Sequence, residues 1–184
     1  MNELLAYRLC NTLRQRRAKR AMIATVCLLM ALPLAAQANF QATIVKHLTT
    51  SRDFTLKVAE QMPAADYGFK LTPPQMSFGG QMVHLAQGLT YFLSQFSGEA
   101  PNPGKPKSDS KEDVIAFVRQ SFDNAIAKVQ ALTPEQIDKT YKSEAGTGSG
   151  MDLLLGMLDH TTHHRASAEM YLRAKGITPA EYQF

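Results

Sequence analysis

Apolar residues recur at three- and four-residue intervals along four long stretches of this chain, and prolines or glycines bound each one. The first stretch runs from about residue 41 to 61, with Ile44, Leu48, Phe54, Val58 and Met62 on one face and Pro63 as its stop. Residues 63–75 hold three prolines and the turn signal Asp66-Tyr67-Gly68, so they read as a connection. A second helix is predicted over about residues 77–96, where Phe78, Met82, Leu85, Leu89, Phe92 and Phe96 form a broad apolar stripe. Ser97-Gly98 closes it, and Pro101-Asn102-Pro103-Gly104-Lys105-Pro106 cannot be helical.

Ser110 is positioned to cap a third helix, with Glu112 and Asp113 favourable in its first turn; Val114, Phe117, Val118, Phe122, Ile126 and Val129 carry it to about Leu132. Thr133-Pro134 reads as the start of a short extra helix, with Thr133 capping and Pro134 at the first helical position. Residues 144–149 read as a glycine-rich loop. A fourth long helix is predicted from Ser149 or Gly150 to a left-handed stop at Gly176, with Pro179 beyond. Its core-facing arc comprises Leu154, Met157, Leu158, Thr161 and Ala168. The pattern shows no repeat and no strand. The fold class it implies is all-α, a four-helix bundle.

Charge and cysteine change the picture only once the first 38 residues are set apart. Arg8, Arg14, Arg16, Arg17, Lys19 and Arg20 precede an apolar run from Ala21 to Leu34, and Ala36-Gln37-Ala38 supplies a small-x-small cleavage pattern. Residues 1–38 read as a signal peptide cleaved after Ala38, leaving residues 39–184 as a periplasmic or secreted domain. The run is about fourteen residues against the roughly twenty of a membrane span, so no stable anchor is expected after cleavage; a retained anchor is the competing reading. Arg16-Arg17 lacks the surroundings of a twin-arginine signal, which favours the general secretory route.

Of the 20 lysines and arginines 14 lie after residue 38, and of the 16 acids 15 do, a formal net charge of −1 for that part. The basic character thus belongs to the leader, and no nucleic-acid partner is expected. Both cysteines, Cys10 and Cys27, also lie in the leader. The domain therefore has no disulfide, thiolate ligand or cysteine nucleophile, and a metal site in it must use His, Asp, Glu and water. The methionines read as core filler rather than as soft copper ligands.

The densest chemistry is Asp159-His160-Thr161-Thr162-His163-His164-Arg165. His160 and His164 are four apart, which stacks both imidazoles on one helical face within reach of a common ion. His84 on the second helix shares a strip with Gly80, Gly88 and Tyr91, and two glycines beside it permit close approach. Three neutral imidazoles with a fourth position open to water form a catalytic pattern; buried, hydrogen-bonded core histidines are the competing reading of the same spacing. His163 reads as outward-facing or as support behind the ligands. Asp159 and Asp152 are the candidates to accept a hydrogen bond from a ligating ring. Arg165 is expected to form a salt bridge to Asp159 or a neighbouring helix, with orientation of an anionic substrate as the competing reading, and Arg173 to favour the helix macrodipole.

His84 within Met82-Val83-His84-Leu85-Ala86 resembles the metal-binding histidine of the DinB-like (YfiT-like) four-helix-bundle family. The stretch Leu158 to Ala168, followed by Tyr171-Leu172-Arg173 and Gly176-Ile177-Thr178-Pro179, is similar to that family's closing pattern. The resemblance implies a metal site at His84, His160 and His164. Two departures stand out. Ala166-Ser167 occupy the place where the family usually has Gly-Gln, and export separates this chain from the cytosolic thiol that some members use.

An open metal position implies a metal-dependent hydrolase or a thiol-dependent transferase acting on a small molecule of unknown identity, with Glu169 and Tyr91 as the candidate bases. The alternative is a non-catalytic exported bundle that binds metal or ligand, in which a fourth protein ligand would close the shell. Zinc is expected first, with nickel, manganese or iron also compatible with three imidazoles. Exposed helix faces are compatible with a homodimer.

Overall fold

The computed structural model describes residues 39–143 and 146–183, with Arg16 and Lys19. The reading of residues 1–38 as a leader thus falls, but for those two positions, outside the described residues. The fold is that of residues 41–184, the larger of two units into which the chain divides. Its long helices are α1 (residues 39–61), α2 (Phe78–Ser97), α3 (Lys111–Gln130) and α5 (Gly150–Ala174). The short α4 (Pro134–Asp138) and a two-stranded hairpin lie between α3 and α5.

Hydrogen bonds at the helix ends fix the direction of each. Gln41 Nε2 donates to the carbonyls of Val129 (2.7 Å) and Leu132 (3.0 Å), while Lys111 Nζ donates to those of Glu60 (2.7 Å) and Met62 (2.9 Å). The start of α1 thus meets the end of α3 and the reverse, so the two are antiparallel. Gln81 and His84 of α2 meet His164 and His160 of α5, which makes that pair antiparallel too. Arg165 reaches Ser51, and Gln61 binds the Thr178 carbonyl (2.9 Å) and the Ala180 amide (2.7 Å), so α1 and α5 run parallel. It follows that α2 and α3 are parallel as well.

Two parallel neighbours cannot be joined by a tight turn. The chain must travel back the length of α2, about 30 Å for its 20 residues. Residues 98–110 make this return without regular secondary structure, and their prolines keep them from folding into a helix. Gln87 Nε2 pins the crossover to α2 through the Gly104 carbonyl at 2.9 Å. The predicted proline-rich loop is therefore a wall laid along α2.

The helix limits follow the capping chemistry. Ser77, Ser110, Thr133 and Ser149 each accept a backbone N–H of the first turn, and Thr133 and Ser149 form reciprocal boxes with Gln136 and Asp152. Gly176, with φ of 75°, stops the last helix as expected.

Three expectations need correction. The chain does contain strands: β1 (Thr140–Ser143) pairs antiparallel with β2 (Gly146–Ser149), so the glycine-rich segment is half of a hairpin. Tyr141 holds it down by packing against Phe96 (ring centroids 5.1 Å apart) and donating its hydroxyl to the Gln136 carbonyl at 2.9 Å. The core comprises Ile44, Leu48, Phe54, Val58, Phe78, Met82, Leu85, Leu89, Val114, Val118, Phe122, Val129, Leu154 and Met157 among others, but Phe92, Phe96, Phe117, Ile126 and Leu158 are only half-buried. Phe92 and Phe117 are so because they line cavities. Met62, Met82 and Met157 do fill the core, whereas Met76, Met151 and Met170 are exposed. No described helix is long and apolar enough to cross a membrane.

Candidate metal centre

The antiparallel packing of α2 on α5 brings His84, His160 and His164 together. One ring nitrogen from each lies within 4.8 Å of the others, so the three are positioned to bind a metal ion. The Nε2 atoms of His84 and His160 are 3.3 Å apart. Two nitrogens of a tetrahedral site with bonds of about 2.0–2.1 Å are separated by about 3.4 Å, so this edge already has the span an ion needs. His164 lies on both partners, its ring centroid 4.5 Å from that of His84 and 4.5 Å from that of His160.

Gly88 explains how His160 fits. A Cβ at that position would overlap the His160 imidazole, so the ring packs directly on the α2 backbone. Gly80 plays no such part and meets only its own capping serine and Met76. Phe92 closes the far side of His160, edge-on at 5.9 Å.

The orientation of His164 is set from behind. Its Nδ1–H donates to Gln81 Oε1 at 2.7 Å, and Gln81 Nε2 donates in turn to the Tyr171 hydroxyl at 3.5 Å. The Tyr171 hydroxyl donates to the Met76 carbonyl at 2.7 Å. With Nδ1 protonated, His164 Nε2 is left as an acceptor. Gln81 does what Asp159 and Asp152 were expected to do. Asp159 is exposed, and Asp152 is spent on capping α5 through the Ser149 amide and hydroxyl, 2.7 Å each.

Burial favours the neutral form of two of the three donors. It pushes His164 down to about 4, helped by the charges of His160, His84 and His163, and it lowers His160, helped by His84 and His163. His160 Nδ1 is buried with no hydrogen-bond partner. Uncharged imidazoles with converging acceptor nitrogens repel unless a proton or cation lies between them, and this donor set fits a divalent ion. Among the described residues no fourth His, Asp or Glu joins the group. His163 is exposed, as one of its two readings required.

Arg165 does reach a neighbouring helix, α1, but not through a salt bridge. It is buried, yet its partner is a hydroxyl: Nη1 donates to Ser51 Oγ at 2.7 Å and the guanidinium lies 4.7 Å from the centre of the Phe54 ring. Arg173 sits in the last turn of α5, where its charge suits the macrodipole. Of the two candidate bases, Tyr91 lines a cavity beside His84 and His160. Glu169 is half-buried and lines neither cavity at the triad; burial raises its carboxyl against the pull of Arg165 and Arg173.

Two cavities meet the triad, and His84 and Gln87 border both. One, of about 480 Å3, is walled by Tyr91, Phe92 and the crossover residues Pro101 and Pro103. The other, of about 420 Å3, includes Ser77, Lys105 and Asp109. The sequence pattern carried no sign of Gln81 as a support or of the crossover as a wall, although Gln81 lies three residues before His84 and hence on its face.

The fold is shared with solved proteins. A DinB-like protein, YjoA of Bacillus subtilis, is 20% identical, with a TM-score of 0.63 over 76% of this chain and 96% of that one. A DinB-like protein of Bacillus cereus is 15% identical, with a TM-score of 0.67 over 76% of this chain and 95% of that one. No curated protein matches the chain. The sequence profile of the DinB family matches residues 36–184, and the chain belongs to that family.

Proposed function

We propose that the protein is a metal-dependent hydrolase or transferase acting on a small molecule, with His84, His160 and His164 as the metal ligands and zinc as the first choice of ion. The observation that carries this reading is the convergence of three imidazoles with no fourth protein donor among the described residues, beside cavities large enough for a substrate. A divalent ion there would supply a Lewis acid that polarises a carbonyl or phosphoryl oxygen and acidifies water or a thiol. The chain's own groups supply the rest. Gln81 holds His164 in one tautomer, Gly88 seats His160, and Tyr91 is the proton-carrying side chain in the cavity wall that His84 and His160 share.

The test is turnover of an activated ester, and of a thiol with an electrophilic acceptor, by zinc-loaded protein. The reading expects one of the two rates to be lost on chelation, restored by zinc, and reduced by Tyr91→Phe. A protein that holds zinc yet accelerates neither reaction favours the non-catalytic binding bundle.

We further propose that residues 1–38 direct export and are removed after Ala38. The support is the basic start, the short apolar run and the cleavage pattern. N-terminal sequencing of the protein from the periplasmic fraction should begin at Asn39; a chain retaining its leader in the cytosol would contradict this.

A further inference from the structure

We infer that the substrate of this centre carries an uncharged aromatic ring, or a group equally flat and apolar, and that Tyr91, Phe92, Pro101 and Pro103 select it. The inference rests on the metal-centre reading above and concerns what approaches the ion. His164 is buried, so the triad is reached over its other two members. His84 opens onto both cavities, but only the larger one touches His84 and His160 together, the pair whose Nε2 atoms lie 3.3 Å apart. A group entering between these two rings must lie in that cavity.

The chemistry of its wall decides what fits. No Asp, Glu, Lys or Arg lines it. Away from the ion, an ionised group against this wall would lose water and meet no side chain of opposite charge, whereas Lys105 and Asp109 stand in the neighbouring cavity for any charged end of the molecule. Two aromatic rings and two prolines present rigid flat faces, which lose little freedom when a planar group packs on them. Phe92 is held in place, its edge against Gly156 and its ring beside His160. The volume of about 480 Å3 falls in the range of roughly 300–1,000 Å3 typical of small-molecule sites. The parallel arrangement of α2 and α3 is what makes the pocket, because it sends the proline-rich crossover back past the triad.

Calorimetric titration of the zinc-loaded protein with benzohydroxamate and acetohydroxamate tests this, since the two share a chelating group and differ in phenyl against methyl. Benzohydroxamate should bind tighter by about tenfold or more, the return expected from burying a ring. Pro101→Ser and Pro103→Ser, made separately, should each cut that difference several-fold while leaving acetohydroxamate unchanged, which also shows that the variant is folded at the centre. Equal affinities for the two compounds in the wild-type protein would overturn the inference and leave the metal reading standing. Binding of neither would overturn the open metal centre itself, and the inference with it.

Discussion

Gln81 spends its one carbonyl oxygen on the ring nitrogen of His164 that faces away from the triad, 2.7 Å off, and so decides which lone pair His164 presents. Replacing it with leucine keeps the bulk and removes the acceptor. Gln81→Leu should weaken zinc binding by about 10–100-fold in competition with a chromophoric chelator; unchanged affinity would mean the ring needs no such hold. The same buried ring gives a pH signature. His164 falls from 6.5 to about 4 in the folded chain, so below 6.5 the unfolded chain takes up a proton that the folded one refuses. Metal-free protein should therefore lose thermal stability as pH drops from 6.5 toward 4, with no contribution from this group above that window. Melting temperatures across this range, with a flatter decline in His164→Leu, check the sign. The pairing of His160 with His164 was legible because a four-residue spacing on a helix is a geometric statement, whereas His84 was drawn in by the glycines beside it and by the family resemblance. Gln81 was not legible, because an amide on an inner helical face carries no pattern that separates support from packing.

The helices were legible at their ends as well as in their faces, since Ser110 and Thr133 sit where a cap must and Gly176 where a left-handed stop must. The hairpin escaped for an equally physical reason. Thr140-Tyr141-Lys142-Ser143 and Gly146-Thr147-Gly148-Ser149 show no alternation of apolar and polar residues. The Gly150 amide donates to the Lys139 carbonyl at 3.0 Å, tying the strand ends where α4 finishes and α5 begins. Tertiary closure makes this sheet, not strand propensity. Neighbouring leucines of α5 test the assigned faces. Leu154 is fully buried and Leu155 is 48% exposed, so Leu154→Ala should cost about 2–5 kcal/mol in urea unfolding and Leu155→Ala no more than about 0.5 kcal/mol. Similar costs at both positions would misplace the helix.

At the scale of the whole molecule, apolar stripes show which face of each helix is inward but not which helices are neighbours. Antiparallel neighbours are usually joined by short loops, so the long proline-rich gap after α2 was the sign of a parallel crossover, and it reads as such only once the helix directions are known. That topology sets α2 and α5 face to face and gives the triad an apolar wall on its exposed side. The central claim is that this arrangement holds one metal ion. Elemental analysis of residues 39–184 purified from the native compartment, beside a variant carrying His84→Ala, His160→Ala and His164→Ala, tests it most directly. About one equivalent of a transition metal is expected in the wild-type protein and none in the variant. A folded wild-type protein that takes up neither zinc, nickel, manganese nor iron, or a triple variant that keeps its metal, would contradict it.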